Sequence, residues 1–127
     1  MPRSKPPQPT DAELEILQVL WTRGPSTVRD IHEALATKNV RYTTVLKTMQ
    51  VMHEKGLLDR DDSERSHVYT ASLKQAATQR QLVREFMDRV FDGATEQLVL
   101  HALNARGITP EEIAGIRRML DDYDRGR

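Results

Sequence analysis

The stretch from Arg41 to Gly56, RYTTVLKTMQVMHEKG, constrains the fold of this chain more than any other. Placed on a helix at about 100° per residue, it collects Val45, Met49 and Met52 on one face. The other face carries hydroxyls, an amide and a cation: Thr43, Thr44, Lys47 and Gln50. Such groups suit close approach to phosphate oxygens and base edges. The pattern therefore predicts a helix over residues 41–55 that packs on a core and presents a polar face to DNA. An ordinary amphipathic helix with a solvated face is the alternative.

The charge near this helix is positive although the whole chain is neutral. The 127 residues include 19 basic and 19 acidic side chains, yet no Asp or Glu occurs from Ala34 to His53. That window holds Lys38, Arg41 and Lys47. Because net charge neither favours nor excludes nucleic acid here, the placement of charge decides, and it favours Arg41 and Lys47 as DNA-binding residues.

A first helix is predicted well before this stretch. Thr10 and Glu13 have the spacing of a capping box, in which each side chain satisfies a backbone N–H of the other residue. They predict a helix from about Asp11 to Arg23, which Gly24-Pro25 ends. Its apolar stripe consists of Leu14, Leu17, Leu20 and Trp21.

The same spacing recurs at Thr27 and Asp30 and predicts a second helix from Val28 to about Thr37. Ser26-Thr27 is also a candidate for a short extended segment that pairs with a later strand. A tight turn at residues 38–40 then leads into the cationic helix. This order of elements is typical of a helix-turn-helix within a three-helix unit.

A small hairpin is predicted after Gly56, which we expect to end the third helix in a left-handed conformation. The segments Leu57–Arg60 and His67–Ala71 are predicted strands on either side of a polar tip. Two strands that follow a third helix form a wing. Arg65, together with Ser66 in the same tip, is expected to approach DNA. The other charged residues of the tip are three carboxylates, which would repel phosphate.

Three more helices are predicted, over residues 73–92, from Thr95 to about Arg106, and after a capping box at Thr109 and Glu112. Three helices of this total length bury too little apolar surface by themselves, so we predict that they pack against a second copy in a symmetric dimer. Packing of these helices on the winged domain is the alternative. The apolar positions expected at the dimerisation surface are Leu82, Phe86, Val90, Leu98, Leu103, Ile113, Ile116 and Leu120.

The expected fold is mostly α. It comprises a flexible basic tail at residues 1–9, a winged helix-turn-helix domain with a small β-wing at 10–71, and a three-helix dimerisation region at 72–127. The tail lacks the apolar run of a signal peptide, and the longest apolar stretch, residues 98–103, is too short to cross a membrane. We therefore expect a cytoplasmic protein.

No residue pattern predicts catalysis or a bound metal. The chain has no cysteine, and its four histidines show no ligand spacing along a helix. Phosphate-binding loops and nucleophile motifs are absent. We predict no catalytic residue, no metal, no cofactor and no small-molecule ligand, so the chain is not expected to be an enzyme.

Four segments together resemble one known family. They are TDAELEILQVLWTRGPSTVRDIHEAL, RYTTVLKTMQVMHEKGLLDR, RSHVY and ITPEEIAGIRRML. They resemble the penicillinase-repressor family, of the BlaI/MecI type, from about Pro9 to Tyr123. The resemblance implies a dimeric repressor that binds palindromic operators through its winged helix. It implies that the residues facing or adjoining DNA are Tyr42, Thr43, Thr44, Lys47 and Thr48, with Arg65 in the wing. Periodicity places Tyr42 and Thr48 nearer the core edge, so these two rest on the resemblance.

The resemblance also implies a route of release from DNA. In the family, a membrane sensor-protease that responds to a β-lactam commonly cleaves the repressor in its dimerisation region. The matching place here lies near His101 and Ala102, without the Asn-Phe pair of the best-known members. The competing class of function is a winged helix that binds a partner protein and not DNA. The acid-free window from Ala34 to His53 argues against that class.

Overall fold

The computed structural model describes residues 8–126, which form a mostly helical fold with one small antiparallel sheet. In chain order the elements are α1 (Asp11–Arg23), α2 (Val28–Ala34), a 3₁₀ turn (Ala36–Lys38), α3 (Tyr42–Glu54), β1 (Leu58–Asp61), β2 (Val68–Ala71), α4 (Gln75–Phe91), α5 (Thr95–Ala105) and α6 (Pro110–Arg125). The predicted fold class, with its winged helix-turn-helix, is confirmed. Of the predicted flexible tail, only Gln8 and Pro9 lie within the described residues.

Side-chain caps begin three of the helices. In each, a threonine hydroxyl accepts a hydrogen bond from the backbone N–H three residues later, and the acidic side chain there accepts one from the threonine N–H. The pairs are the predicted ones: Thr10 with Glu13, Thr27 with Asp30, and Thr109 with Glu112. These local contacts fix where the helices start.

The second helix is shorter than predicted. α2 ends at Ala34 and not near Thr37, because the chain tightens into the 3₁₀ turn and Asn39 adopts a left-handed conformation with φ 56°. Asparagine tolerates that conformation better than most residues. The reversal delivers the chain into α3 after a short connection.

The chain divides into two compact units between Leu82 and Val83, within α4. The predicted boundary lay at residues 71 and 72. The start of α4 belongs to the first unit, where Thr78 is buried. Just before α4, the carbonyl of Leu73 accepts a hydrogen bond of 2.9 Å from the indole N–H of Trp21.

The core of the first unit joins α1, α2, α3 and the hairpin. The predicted inner face of α3, which is Val45, Met49 and Met52, is buried. In α1, Ile16 is buried and Leu14 is only half-buried, so the predicted stripe was wrong at that position. The other large buried side chains of this core are Leu17, Leu20, Ile31, Leu57, Leu58 and Tyr69.

The hairpin is tied to the connection between α1 and α2. β1 and β2 pair antiparallel, with Leu58 opposite Ala71. Ser26 bridges to Tyr69 through two backbone hydrogen bonds of 3.0 and 2.8 Å, which confirms the predicted extended segment. Gly56 follows α3 with φ 85°, as predicted. The hairpin is therefore held against the three-helix core and not only by its link to α3.

In the second unit, none of the described residues is buried. Its helices place several large apolar side chains in solvent, including Phe86, Val90, Met119, Leu120 and Tyr123.

Candidate nucleic-acid interface

The outer face of α3 is polar and open, as its sequence predicts. Thr43, Thr44, Lys47 and Gln50 are all exposed, opposite the buried face of the same helix. Lys47 makes no ion pair with another described residue, and neither does Arg41 at the start of the helix. An unpaired lysine and several hydroxyl groups therefore share one accessible face of α3, and an unpaired arginine lies at its N-cap.

The N-terminus of α3 differs from those of the capped helices. Its N-cap residue, Arg41, makes no side-chain capping hydrogen bond, and the first turn contains no acidic residue. The first backbone N–H groups and the positive end of the helix dipole are thus not neutralised by a carboxylate. Together with the Arg41 guanidinium, they favour an anion such as phosphate at this end.

A groove of about 500 Å³ separates α3 from the hairpin. Its lining includes Arg65, Ser66 and His67 from the hairpin side and Tyr42, Gln50 and Arg29 from the helices. The structure therefore brings Arg65 and Ser66 into the same groove as the side chains of α3. We call this surface the wing-side groove.

The carboxylate of Asp62 in the wing is compensated within the hairpin. Asp62 Oδ1 lies 2.7 Å from Arg60 Nε and 3.5 Å from His67 Nδ1. Hydrogen bonds to the Tyr69 and Asp62 side chains raise the pKa of Arg60. Arg60 is thus paired within the hairpin. Arg65 makes no ion pair with another described residue, so its guanidinium is available to a ligand.

A second groove of about 500 Å³ runs along the other side of α3, against the start of α1. Its lining includes Thr10, Thr43, Thr44, Lys47, Thr48 and Val51. We call it the α1-side groove. Thr48, which the resemblance adds to the site, is half-buried here and its hydroxyl donates to the Thr44 carbonyl at 2.8 Å.

Glu13 also lines the α1-side groove, but its carboxylate is paired with Lys55. Lys55 Nζ donates to both carboxylate oxygens, at 3.0 and 2.8 Å. Burial works against ionisation, yet the hydrogen bonds from Lys55 and from Thr10 N–H lower the pKa of Glu13 overall. Glu13 is therefore ionised and paired, and it presents little negative charge to a phosphate.

Tyr42, the other residue added by the resemblance, is held by the turn before α3. The ring Nε2 of His32 donates a hydrogen bond of 2.9 Å to the Val40 carbonyl. The same ring packs edge-on against Tyr42, with centroids 5.7 Å apart. Tyr42 is exposed at the wing-side groove, so His32 acts as its support.

Two other basic residues near α3 differ in whether they are paired. Lys38, counted in the acid-free window, pairs with Glu15 of α1 at 3.1 Å and lines a different surface cavity. Arg29 was missed, although it is exposed in the wing-side groove. A signal existed, since Arg29 stands at the start of the first helix of a helix-turn-helix, which crosses the DNA backbone.

The predicted dimerisation residues remain accessible in the single chain. Leu82, Leu98, Leu103 and Ile116 are half-buried, and Phe86, Val90, Ile113 and Leu120 are exposed, Leu120 at 65%. The predicted cleavage residues, His101 and Ala102, lie exposed within α5.

Across residues 8–126 there is no group of three His, Cys, Asp or Glu side chains that could hold a metal ion. No helix in that range is long and apolar enough to cross a membrane.

Comparison with known proteins places this site in a family context. The penicillinase repressor family model matches residues 9–122. The penicillinase repressor of Bacillus licheniformis is 25% identical over 120 residues, which are 94% of each chain. The transcriptional regulator BlaI of Mycobacterium tuberculosis is 29% identical over 118 residues, covering 91% of this chain and 85% of that one. The solution structure of the DNA binding domain of the repressor BlaI has 27% identity and a TM-score of 0.51, and covers 58% of this chain and 92% of that domain.

Proposed function

The chain belongs to the penicillinase repressor family, and we propose that it represses transcription as a homodimer bound to palindromic operators. Family membership makes it a DNA-binding transcriptional repressor and not an enzyme. Because a repressor must reach its operator, we place it in the cytoplasm. Its macromolecular partners in this proposal are double-stranded DNA and a second copy of the chain.

The observation that carries the proposal is the outer face of α3 between two open grooves. An α-helix fits the major groove of B-DNA, so α3 can enter it with Thr43, Thr44 and Lys47 toward the bases and phosphates. Tyr42 and Thr48 flank that surface, Arg41 lies at the N-cap of α3, and Arg65 lines the wing-side groove. Two copies would read two half-sites whose centres lie on the order of 10 bp apart, or a multiple of that.

Operator binding is tested by a gel-shift titration on the DNA upstream of the gene for this protein, at two salt concentrations and with a scrambled competitor. We expect tight, competitor-resistant binding that weakens steeply with salt, because phosphate contacts release counterions. Lys47→Ala should weaken it, and by about 1–3 kcal/mol at one base position if Lys47 meets a guanine. Lys38→Ala is the matched control, since Lys38 is paired with Glu15, and it should bind normally.

Equal, weak binding of the wild type to both DNAs would count against operator recognition at that promoter. Binding without salt dependence would favour the competing class, a winged helix that binds a protein partner. Equal losses in Lys47→Ala and Lys38→Ala would show that charge alone matters and not its position on α3.

The dimer is supported by the apolar surface of the second unit. A monomer would leave Phe86, Val90 and Leu120 in water, whereas a symmetric partner would cover such side chains. Leu120→Asp should therefore lower the dimer fraction in sedimentation and weaken operator binding, although it lies in α6. Gln97→Asp, on the exposed surface of α5, is the matched control. A Leu120→Asp protein that stays dimeric would place the interface elsewhere.

We further propose that a membrane sensor-protease releases the repressor by cleavage near His101 and Ala102. These residues are exposed, but they lie inside α5, so the helix must open locally before a protease can bind an extended strand. The test is an immunoblot of the native host before and after β-lactam exposure, with the mass of the fragment measured. An intact chain during induction would exclude this route, and a fragment of another mass would move the site.

A further inference from the structure

Two residues on the outer face of α3 have side chains, one an amide and one apolar, that phosphate binding does not explain. Gln50 lines the wing-side groove and Val51 lines the α1-side groove. Both side chains are exposed, and Val51 is 38% exposed on a face otherwise made of hydroxyls, an amide and a cation. They follow Lys47 in the C-terminal half of the helix.

The amide of Gln50 is free to pair with a ligand. It makes no hydrogen bond with another residue in the part of the chain that the structure describes. A glutamine amide offers one donor and one acceptor side by side, which match N7 and the N6 amino group of adenine in the major groove. Gln50 lies seven residues after Thr43, or about 10 Å along the helix axis. It would therefore meet a different base pair from the start of α3.

Val51 offers the complementary apolar contact. The thymine methyl is the apolar group that the major groove presents, and it is found where adenine is the pairing base. A branched side chain on the outer face of a groove-binding helix gains most by covering that methyl. Because the neighbours Thr44 and Thr48 on its own side of the helix carry hydroxyl groups, Val51 is the side chain in the α1-side groove best suited to it.

We propose that Gln50 and Val51 are specificity-determining residues that read A·T base pairs at the C-terminal half of α3. Gln50 forms paired hydrogen bonds with adenine, and Val51 contacts a thymine methyl. The inference rests on the proposed binding of α3 in the major groove and adds which side chains read which bases.

The first test selects binding sites from randomised duplex DNA with the full chain, in the wild type and as Gln50→Ala and Gln50→Arg. The wild type should enrich an A·T pair that Gln50→Ala no longer requires, while the other positions of the site stay the same. Gln50→Arg should prefer guanine there, because arginine pairs with O6 and N7 of guanine. The affinity of Gln50→Ala for the wild-type site should fall roughly 5- to 150-fold. Gln18→Ala, an exposed glutamine of α1 on another surface cavity, should change neither affinity nor preference.

The second test alters single base atoms. Replacing the selected adenine by 7-deazaadenine removes the N7 acceptor, so it should weaken the wild type and leave Gln50→Ala unchanged. Replacing thymine by uracil removes the methyl group and should weaken the wild type about fourfold, but not Val51→Ala. Circular dichroism would confirm that these surface variants fold.

The outcomes separate this inference from the proposed function. A wild type that enriches no sequence would contradict specific DNA binding, and the inference with it. A wild type that enriches one site, with the same preference in both Gln50 variants and no response to 7-deazaadenine, would overturn the role of Gln50 alone. An equal response of wild type and Val51→Ala to uracil would overturn the role of Val51.

Discussion

Replacing Lys55 by methionine is expected to destabilise the first unit, because it leaves a buried carboxylate without its partner. The side chain of Glu13 is 5% exposed, and Lys55 Nζ lies 2.8 Å from one of its oxygens. Methionine keeps most of the apolar stem but removes the ammonium group. Glu13 would then keep its hydrogen bond from the Thr10 backbone N–H but lose the opposite charge.

The size of the effect follows from the burial of the two groups. Removing one partner of a fully buried ion pair costs about 3–5 kcal/mol. The Lys55 side chain is 32% exposed, so water can reach the vacated position and reduce the loss. We therefore expect a decrease of about 2–3 kcal/mol in the free energy of unfolding at neutral pH. The pair between Lys38 and Glu15 is exposed at 58% and 40%, so Lys38→Met should cost less than about 1 kcal/mol.

The loss of stability in Lys55→Met should become smaller in acid, as the pKa of Glu13 predicts. Burial opposes the charged form, but the hydrogen bonds from Lys55 and Thr10 and the charge of Lys55 lower that pKa in the folded state below 4.5. A lowered folded-state pKa contributes stability that is fully present above the unfolded value of 4.5. That stability is lost as the pH falls from there through the folded-state pKa. The difference between wild type and Lys55→Met should shrink over the same interval.

The free energy of unfolding is measured by urea unfolding followed by Trp21 fluorescence. All variants are compared at one protein concentration, because the stability of a dimer depends on concentration. Wild type, Lys55→Met and Lys38→Met would be compared at pH 7 and at about pH 3. The double variant Glu13→Gln with Lys55→Met should recover part of the loss, since it leaves no charge unpaired. The reasoning fails if Lys55→Met loses no more than Lys38→Met at pH 7, or if its deficit persists unchanged in acid.

Three further changes have defined outcomes. Gly56→Ala should lower the free energy of urea unfolding by about 1–2 kcal/mol, because φ at Gly56 is 85°. The added methyl group meets no atom at either Gly56 or Gly107, so Gly107→Ala, where φ is not positive, should be near neutral. Trp21→Phe should cost about 1–3 kcal/mol, because it leaves the Leu73 carbonyl without its donor, and calorimetry would show whether it does. Arg65→Ala should weaken binding to all DNA sequences and reduce the slope of log affinity against log salt by about one per protomer; an unchanged slope would remove Arg65 from the interface.

Local sequence signals predicted most of the fold because the contacts they describe are local. Each capping box joins residues three apart, and the inner face of α3 follows from helical periodicity alone. Gly56 could be assigned its left-handed conformation because few other residues adopt it readily. The boundary of α2 was wrong because the 3₁₀ turn and Asn39 end it before its apolar pattern stops.

The charges at the site could not be assigned in the same way, since their partners lie far along the chain. Lys55 and Glu13 are 42 residues apart, and nothing in either neighbourhood predicts that they meet. The ion pair between Lys38 and Glu15 is equally hidden in the sequence, because Glu15 lies in α1, outside the acid-free window that contains Lys38. Arg29 was overlooked because it lies outside the acid-free window, whereas in space it lines the wing-side groove.

Pairing within the first unit explains how a neutral chain can offer DNA a positive surface. A phosphate responds to the unpaired charges nearest to it and not to the sum over the chain. Lys55 compensates Glu13 beneath the α1-side groove, and Arg60 compensates Asp62 in the wing. Around α3 and the wing, four exposed cations make no ion pair with another described residue. They are Arg29, Arg41, Lys47 and Arg65. The ion pair between Lys55 and Glu13 thus stabilises the fold and also neutralises the carboxylate in the α1-side groove, so a change at Lys55 should alter both the stability of the first unit and the potential beside the outer face of α3.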